Sequence, residues 1–110
     1  PTVVRVPGAF ELPVVARALA GAGYDAVVAL GSVILGETDH YEHVATQCAA
    51  GLREVSTATG VPVTFGVLTV REVDHARERS LPGAGNKGAE AAEAAVQAAN
   101  ALRAIRDGTR

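Results

Sequence analysis

The sequence predicts an α/β fold, with a parallel sheet covered by helices on both faces. Three observations lead there. Short β-branched or apolar runs alternate along the chain with stretches whose apolar residues recur at helical spacing. One run, residues 26–34 (AVVALGSVI), is apolar without alternation, the pattern of a strand buried on both faces. Aromatic residues are scarce, with two Phe, two Tyr and no Trp among 110 residues. A core of Val, Leu, Ile and Ala relies on close packing of small side chains, which suits helices lying on a sheet.

The elements follow in order. Residues 2–6 (TVVRV) are β-branched and read as a strand, broken by Pro7 and Gly8. From residue 11 to about 22, Leu12, Val15, Ala16 and Leu19 recur at helical spacing. Pro13 fits the first turn, where its missing N–H is harmless. Gly21 and Gly23 end that helix, and residues 26–34 form the next strand. Val44, Cys48, Leu52 and Val55 make a helical stripe over residues 40–59. Residues 60–62 stop it, and residues 63–69 (VTFGVLT) form a strand in which Gly66 signals a close backbone approach. Residues 72–79 are a short polar helix and 80–88 a Gly-rich loop. Residues 89–106 are an Ala-rich helix with Ala92, Ala95, Ala99, Leu102 and Ile105 on one face. Crossovers between the strands are right-handed. Three strands make a thin sheet, so at least one more is expected upstream of Pro1 or from another chain. The absence of Met and the start at Pro1 inside a strand also imply a gene product that is longer at its N-terminus.

Composition excludes several classes. With 10 Lys+Arg against 12 Asp+Glu the formal charge is −2, and no basic run marks a general nucleic-acid binder. A hydrophobic fraction of 48% argues against disorder. No apolar stretch approaches the roughly 18–20 residues that span a bilayer. The one cysteine, Cys48, rules out an internal disulfide and lies on an apolar stripe as a core residue. A single domain over residues 1–110 and a cytoplasmic location are the expectations.

In an open parallel sheet, ligands bind beyond the carboxyl ends of the strands. Three connections arise there: residues 6–11, residues 32–40 and the segment after Thr69. In the second, Gly36, Glu37, Thr38, Asp39 and His40 precede a helix. Thr38 or Asp39 caps that helix, or its N-terminus receives an anion; the two are compatible. His40, at the edge of the loop, is of the residue type that can shuttle protons at neutral pH. His40, Glu42 and His43 do not make a metal spacing, and His75 is expected on the surface. Glu11 either complements the helix dipole or accepts hydrogen bonds from a polar ligand. Arg71, Arg77, Arg79 and Lys87 either form a solvated face with Glu72, Asp74 and Glu78 or capture phosphate. The Gly-rich loop lacks the Ser/Thr that would follow Lys87 in a Walker motif, and no GxGxxG follows a strand.

Five segments taken together resemble one family: VPGAFELP at residues 6–13, ALGSVI at 29–34 followed by GETDH at 36–40, FGVLT at 65–69, Arg79, and NKGAEAA at 86–92. In this order they resemble the 6,7-dimethyl-8-ribityllumazine synthase family, the penultimate enzymes of riboflavin biosynthesis, over about residues 3–105. The resemblance implies a flavodoxin-like three-layer α/β/α sandwich, assembled as a homopentamer or as an icosahedral shell, with active sites between subunits. It implies condensation of 5-amino-6-(D-ribitylamino)uracil with 3,4-dihydroxy-2-butanone 4-phosphate, with no metal or organic cofactor. By position, Ala9, Phe10 and Glu11 match the ribityl side, and Ser32, Val33 and Ile34 the strand end that contacts the uracil ring. Glu37 and Thr38 match the butanone phosphate site, and His40 the proton donor and acceptor. Phe65 and Arg79 match residues reaching in from the adjacent subunit, on the pyrimidine and the phosphate respectively. Lys87 matches a lysine near the site.

Two positions depart from the family pattern. Leu35 stands where the family usually has a cation, and Asp39 where it often has Pro. Asp39 favours an imidazolium at His40, but its charge opposes a phosphate nearby. The family's N-terminal strand, helix and stacking aromatic do not precede Pro1 and are expected in the natural protein. The alternative reading is a catalytically weak shell or flavin/lumazine-binding protein of the same fold. A generic flavodoxin-like module is a third.

Overall fold

The computed structural model describes residues 2–34, 40–70, 73–83 and 85–108, with positions 41 and 73 described by backbone alone. A short 3-10 turn, Ala9–Glu11, leads into α1, Leu12–Gly21. Then come β1 (Val27–Ile34), α2 (His40–Thr59), β2 (Val63–Val70), α3 (Val73–Ser80) and α4 (Lys87–Arg106). The helix of residues 40–59 falls where its stripe predicts, and the other helix and strand limits move by one or two residues.

β1 and β2 pair in parallel, in register from Val27↔Val63 to Ile34↔Val70. Paired residues in such a ladder point to the same side, so odd and even positions define the two faces. On the odd face, Val27, Ala29, Val33 and Val67 join Ala16 and Ala20 of α1 and Cys48, Leu52 and Val55 of α2 in one buried cluster. On the even face, the Thr64 hydroxyl donates to the Ala91 carbonyl of α4 at 2.8 Å. The helices therefore flank the sheet, α1 and α2 on one side and α4 on the other.

Close approach is what the small residues provide. A Cβ added at Gly66 would stand 2.6 Å from Leu30 Cδ2 and 3.1 Å from both the Ala29 carbonyl oxygen and Ala91 Cβ. One added at Gly51 would fall 2.7 Å from Pro13 Cγ, so that glycine lets α2 rest on the first turn of α1. α2 stops at Gly60, whose φ of +72° is left-handed backbone that glycine takes without strain.

Four expectations are corrected. Residues 2–6 form no strand, so the described sheet has two strands and not three. A groove of about 540 Å³ separates this segment from β1, lined by Val3, Val4, Val27, Val28 and Leu30. β-Branched composition favours extended backbone, but a strand also needs a neighbour to pair with. β1 is not buried on both faces either: Val28, Leu30 and Ile34 on the even side are 37%, 56% and 39% exposed. α4 lies mainly over β2 and leaves much of that side of β1 uncovered.

The third correction concerns α4, which begins at Lys87 and buries Ala91 and Ala95; Ala92 and Leu102 are exposed and Ile105 is 72% exposed. Ala91 already stands over Thr64, near the start of β2. The helix beyond it, about 22 Å at 1.5 Å per residue, mostly outruns the sheet. Finally, His75 is partly buried and not fully exposed. Among the described residues, no helix is long and apolar enough to cross a membrane.

Leu52 and Cys48 are the most deeply buried large side chains. Leu52→Ala is expected to lower stability by about 2–5 kcal/mol through lost transfer energy and a cavity. Gly66→Ala is expected to lower it by about 1–3 kcal/mol, by forcing α4 off the sheet. Equilibrium urea unfolding checks both. Burial also pushes the Cys48 thiol above its ordinary range, because the thiolate would be desolvated. Folding thus favours the protonated thiol. That contribution is whole at pH below the unfolded thiol's range and is lost as pH rises from there through the higher range of the buried thiol. Stability should decline with alkaline pH, and Cys48→Ala should flatten that part of the decline while lowering stability at neutral pH.

Candidate functional site

A cavity of about 380 Å³ opens on the even face of the sheet. Its floor is Leu30, Ser32, Gly66 and Leu68, over the middle of the two strands. One wall is the last turn of α3, with Arg79 and Ser80; another is the start of α4, with Asn86, Lys87 and Gly88.

The electrostatics at this rim favour an anion. The first turn of α4 presents backbone N–H groups and the positive end of the helix dipole. Lys87 carries a cation there and pairs with Glu90 at 3.1 Å, both half-exposed, so the pairing is weakly held. Arg79 is exposed, and its Nη1 donates to the His75 carbonyl at 3.1 Å. Among the described residues it holds no carboxylate, which leaves the guanidinium fork able to grip one or two oxygens of a ligand. Arg77 lies outside this rim, 4.0 Å from Asp74 on the exposed side of α3.

One side chain ties the two walls together. Asn86 caps α4, its Oδ1 accepting from the Ala89 N–H at 2.8 Å. Its Nδ2 donates to the carbonyls of Ser80 and Leu81 at 2.9 and 3.0 Å. The expectation of a loop through residue 88 missed this. The signal was present, since Asn just before a helical run is a favoured N-cap.

The other expected site residues lie apart from this cavity. Ala9, half-buried against the core, exposed Phe10 and Glu11 sit on the 3-10 turn on the odd side of the sheet. Glu11 takes the N-cap position of α1 without a side-chain capping bond. His40 opens α2 on that same side and is exposed. Phe65 is 45% exposed, with odd register on β2. Val33 is buried in the odd-face core, whereas Ser32 and Ile34 point to the even face. Leu35, Gly36, Glu37, Thr38, Asp39, Arg71 and Glu72 lie outside the described residues. Within one chain, therefore, Ser32, Arg79 and Lys87 come together, and the sheet divides them from residues 9–11 and His40. No group of three or more His, Cys, Asp or Glu side chains gathers as a metal site among the described residues.

Comparison with known proteins decides the family. The sequence model of 6,7-dimethyl-8-ribityllumazine synthase matches residues 1–103. The chain belongs to the 6,7-dimethyl-8-ribityllumazine synthase family. It is 57% identical over 106 residues to the 6,7-dimethyl-8-ribityllumazine synthase of Edwardsiella ictaluri, covering 96% of this chain and 68% of that protein. Membership carries the family's synthase activity with it.

The geometry gives a direct test of the anion site. Titrating inorganic phosphate should perturb the amide resonances of Arg79, Lys87 and Gly88. Arg79→Ala should weaken phosphate binding about tenfold or more, the scale of a lost charge-assisted hydrogen bond.

Proposed function

We propose that this chain condenses 5-amino-6-(D-ribitylamino)uracil with 3,4-dihydroxy-2-butanone 4-phosphate to give 6,7-dimethyl-8-ribityllumazine, phosphate and water, in riboflavin biosynthesis. The observation that carries the reading is the basic rim of the cavity, where Arg79, Lys87 and the start of α4 converge above Ser32. It suits the phosphate of the four-carbon substrate. The family match and the Edwardsiella relative support the chemistry.

In this mechanism the uracil's 5-amino group attacks the ketone and water leaves, giving an imine. Loss of phosphate from C4 with the C3 proton follows and leaves an enol, which tautomerises to a new carbonyl at C3; the ribitylamino nitrogen closes the ring there with loss of a second water. His40 moves protons in these steps. Most of the acceleration comes from holding two substrates in contact, which needs no metal or organic cofactor. Ala9, Phe10 and Glu11 bind the ribityl side, and Ser32, Val33 and Ile34 the uracil ring. Val33 contributes through its backbone, since its side chain is in the core. Glu37 and Thr38 meet the butanone phosphate.

The active site in this reading is completed between subunits. The groups that one chain holds on opposite sides of its sheet meet when Arg79 and Lys87 of one subunit face residues 9–11 and His40 of the next, and Phe65, on the odd face, also comes in from the adjacent subunit. A homopentamer, or an icosahedral shell of pentamers, satisfies that geometry. The domain of residues 1–110 is then part of a flavodoxin-like three-layer sandwich. A further strand in the groove beside β1 would give residues 2–6 the pairing partner they lack. Such an assembly is read as working in the cytoplasm.

Lumazine absorbance with both substrates tests the reading, alongside light scattering for particle size. The unmutated protein should turn over as a pentamer or larger. His40→Ala should lower kcat by about 10²–10⁴, and Arg79→Ala should chiefly raise KM for the butanone phosphate. Background rates in the unmutated protein would favour a weakly catalytic shell, to which Leu35 and Asp39 point; a monomer would favour a generic module.

A further inference from the structure

We propose that Asn86 is a positioning residue for the phosphate end of the cavity. Its carboxamide sets the separation between the end of α3, which carries Arg79, and the start of α4, which carries Lys87. The proposal rests on the phosphate-site reading above and goes beyond it by assigning a role to a side chain that need not touch the substrate.

The two helices meet through few other contacts, and the link between them contains Pro82, Gly83 and Gly85. Gly83 takes a φ of +115°, a conformation that few other residues tolerate. Asn86 joins this link at both levels. Its backbone N–H donates to the Gly83 carbonyl at 3.1 Å, closing the turn. Its side chain then accepts from α4 at 2.8 Å and donates twice to the end of α3 at 2.9 and 3.0 Å. The orientation of the amide is determined, because the flipped form would set an N–H against the Ala89 N–H.

The chemistry is specific to Asn. Ser at this position caps a helix about as well, yet one hydroxyl is too short to reach the carbonyls of both Ser80 and Leu81. Ala neither caps nor bridges. The two roles of Asn86, stabilising α4 and spacing Arg79 from Lys87, can thus be separated by comparing Asn86→Ser with Asn86→Ala.

The experiment measures three quantities on the full assembled protein: affinity for inorganic phosphate, KM for each substrate, and the thermal midpoint. Both variants should bind inorganic phosphate about tenfold more weakly and raise KM for the butanone phosphate by a similar factor. KM for the ribitylaminouracil should stay within about twofold, and only Asn86→Ala should lose appreciable thermal stability. Wild-type phosphate affinity in Asn86→Ser, with a loss confined to Asn86→Ala, would overturn the proposal and leave Asn86 a helix cap. Equal rises in both KM values would overturn it too, by showing a general loss of structure. An unmutated protein that binds no phosphate would instead defeat the phosphate-site reading, and this proposal with it.

Discussion

Two strands alone make an unstable sheet, and this pair is held by helices pressed against both faces. The constraint on which everything depends is the distance of that approach. At Gly66 the backbone of β2 comes so near α4 that a single methyl group would collide with Leu30 and crowd Ala91. At Gly51 the same economy of side chain lets α2 settle on Pro13. Small residues give up some burial per residue, but they draw the layers close enough for Leu52, Cys48 and the valines to exclude water.

The cavity follows from that packing. α4 is fixed over the amino half of β2 by the Thr64 to Ala91 hydrogen bond. Its first turn therefore falls over the carboxyl half, beside Ser32 and Leu68. The dipole and Lys87 are aimed at the strand ends by the same contact that stabilises the sheet. α3 then needs only a short link to bring Arg79 to the opposite rim, and Asn86 bridges the two helices there.

A single chain keeps the expected site residues on two sides of its sheet. Phe10 at 58% exposure and Phe65 at 45% are large apolar groups left in solvent. Large exposed aromatics are the kind of group that contact with another surface covers.

Much was legible in the sequence because periodicity reports local burial. The stripe through Val44, Cys48, Leu52 and Val55 located α2, and the glycine in VTFGVLT located the close approach. The motifs around Phe10, His40 and Arg79, taken in order with the other segments, located the family. Tertiary structure decided the rest. Residues 2–6 look like a strand by composition, but pairing depends on a neighbour that composition does not encode. Val28 and Leu30 look fully buried, but exposure depends on where α4 crosses. On α4 the expected Ala95 is buried, but Ala91 takes the place expected of Ala92, because every side of that helix is rich in Ala and contact with Gly66 and Thr64 chooses between them. Local patterns determine which elements form, whereas their faces and neighbours are set by contacts between segments far apart in the chain.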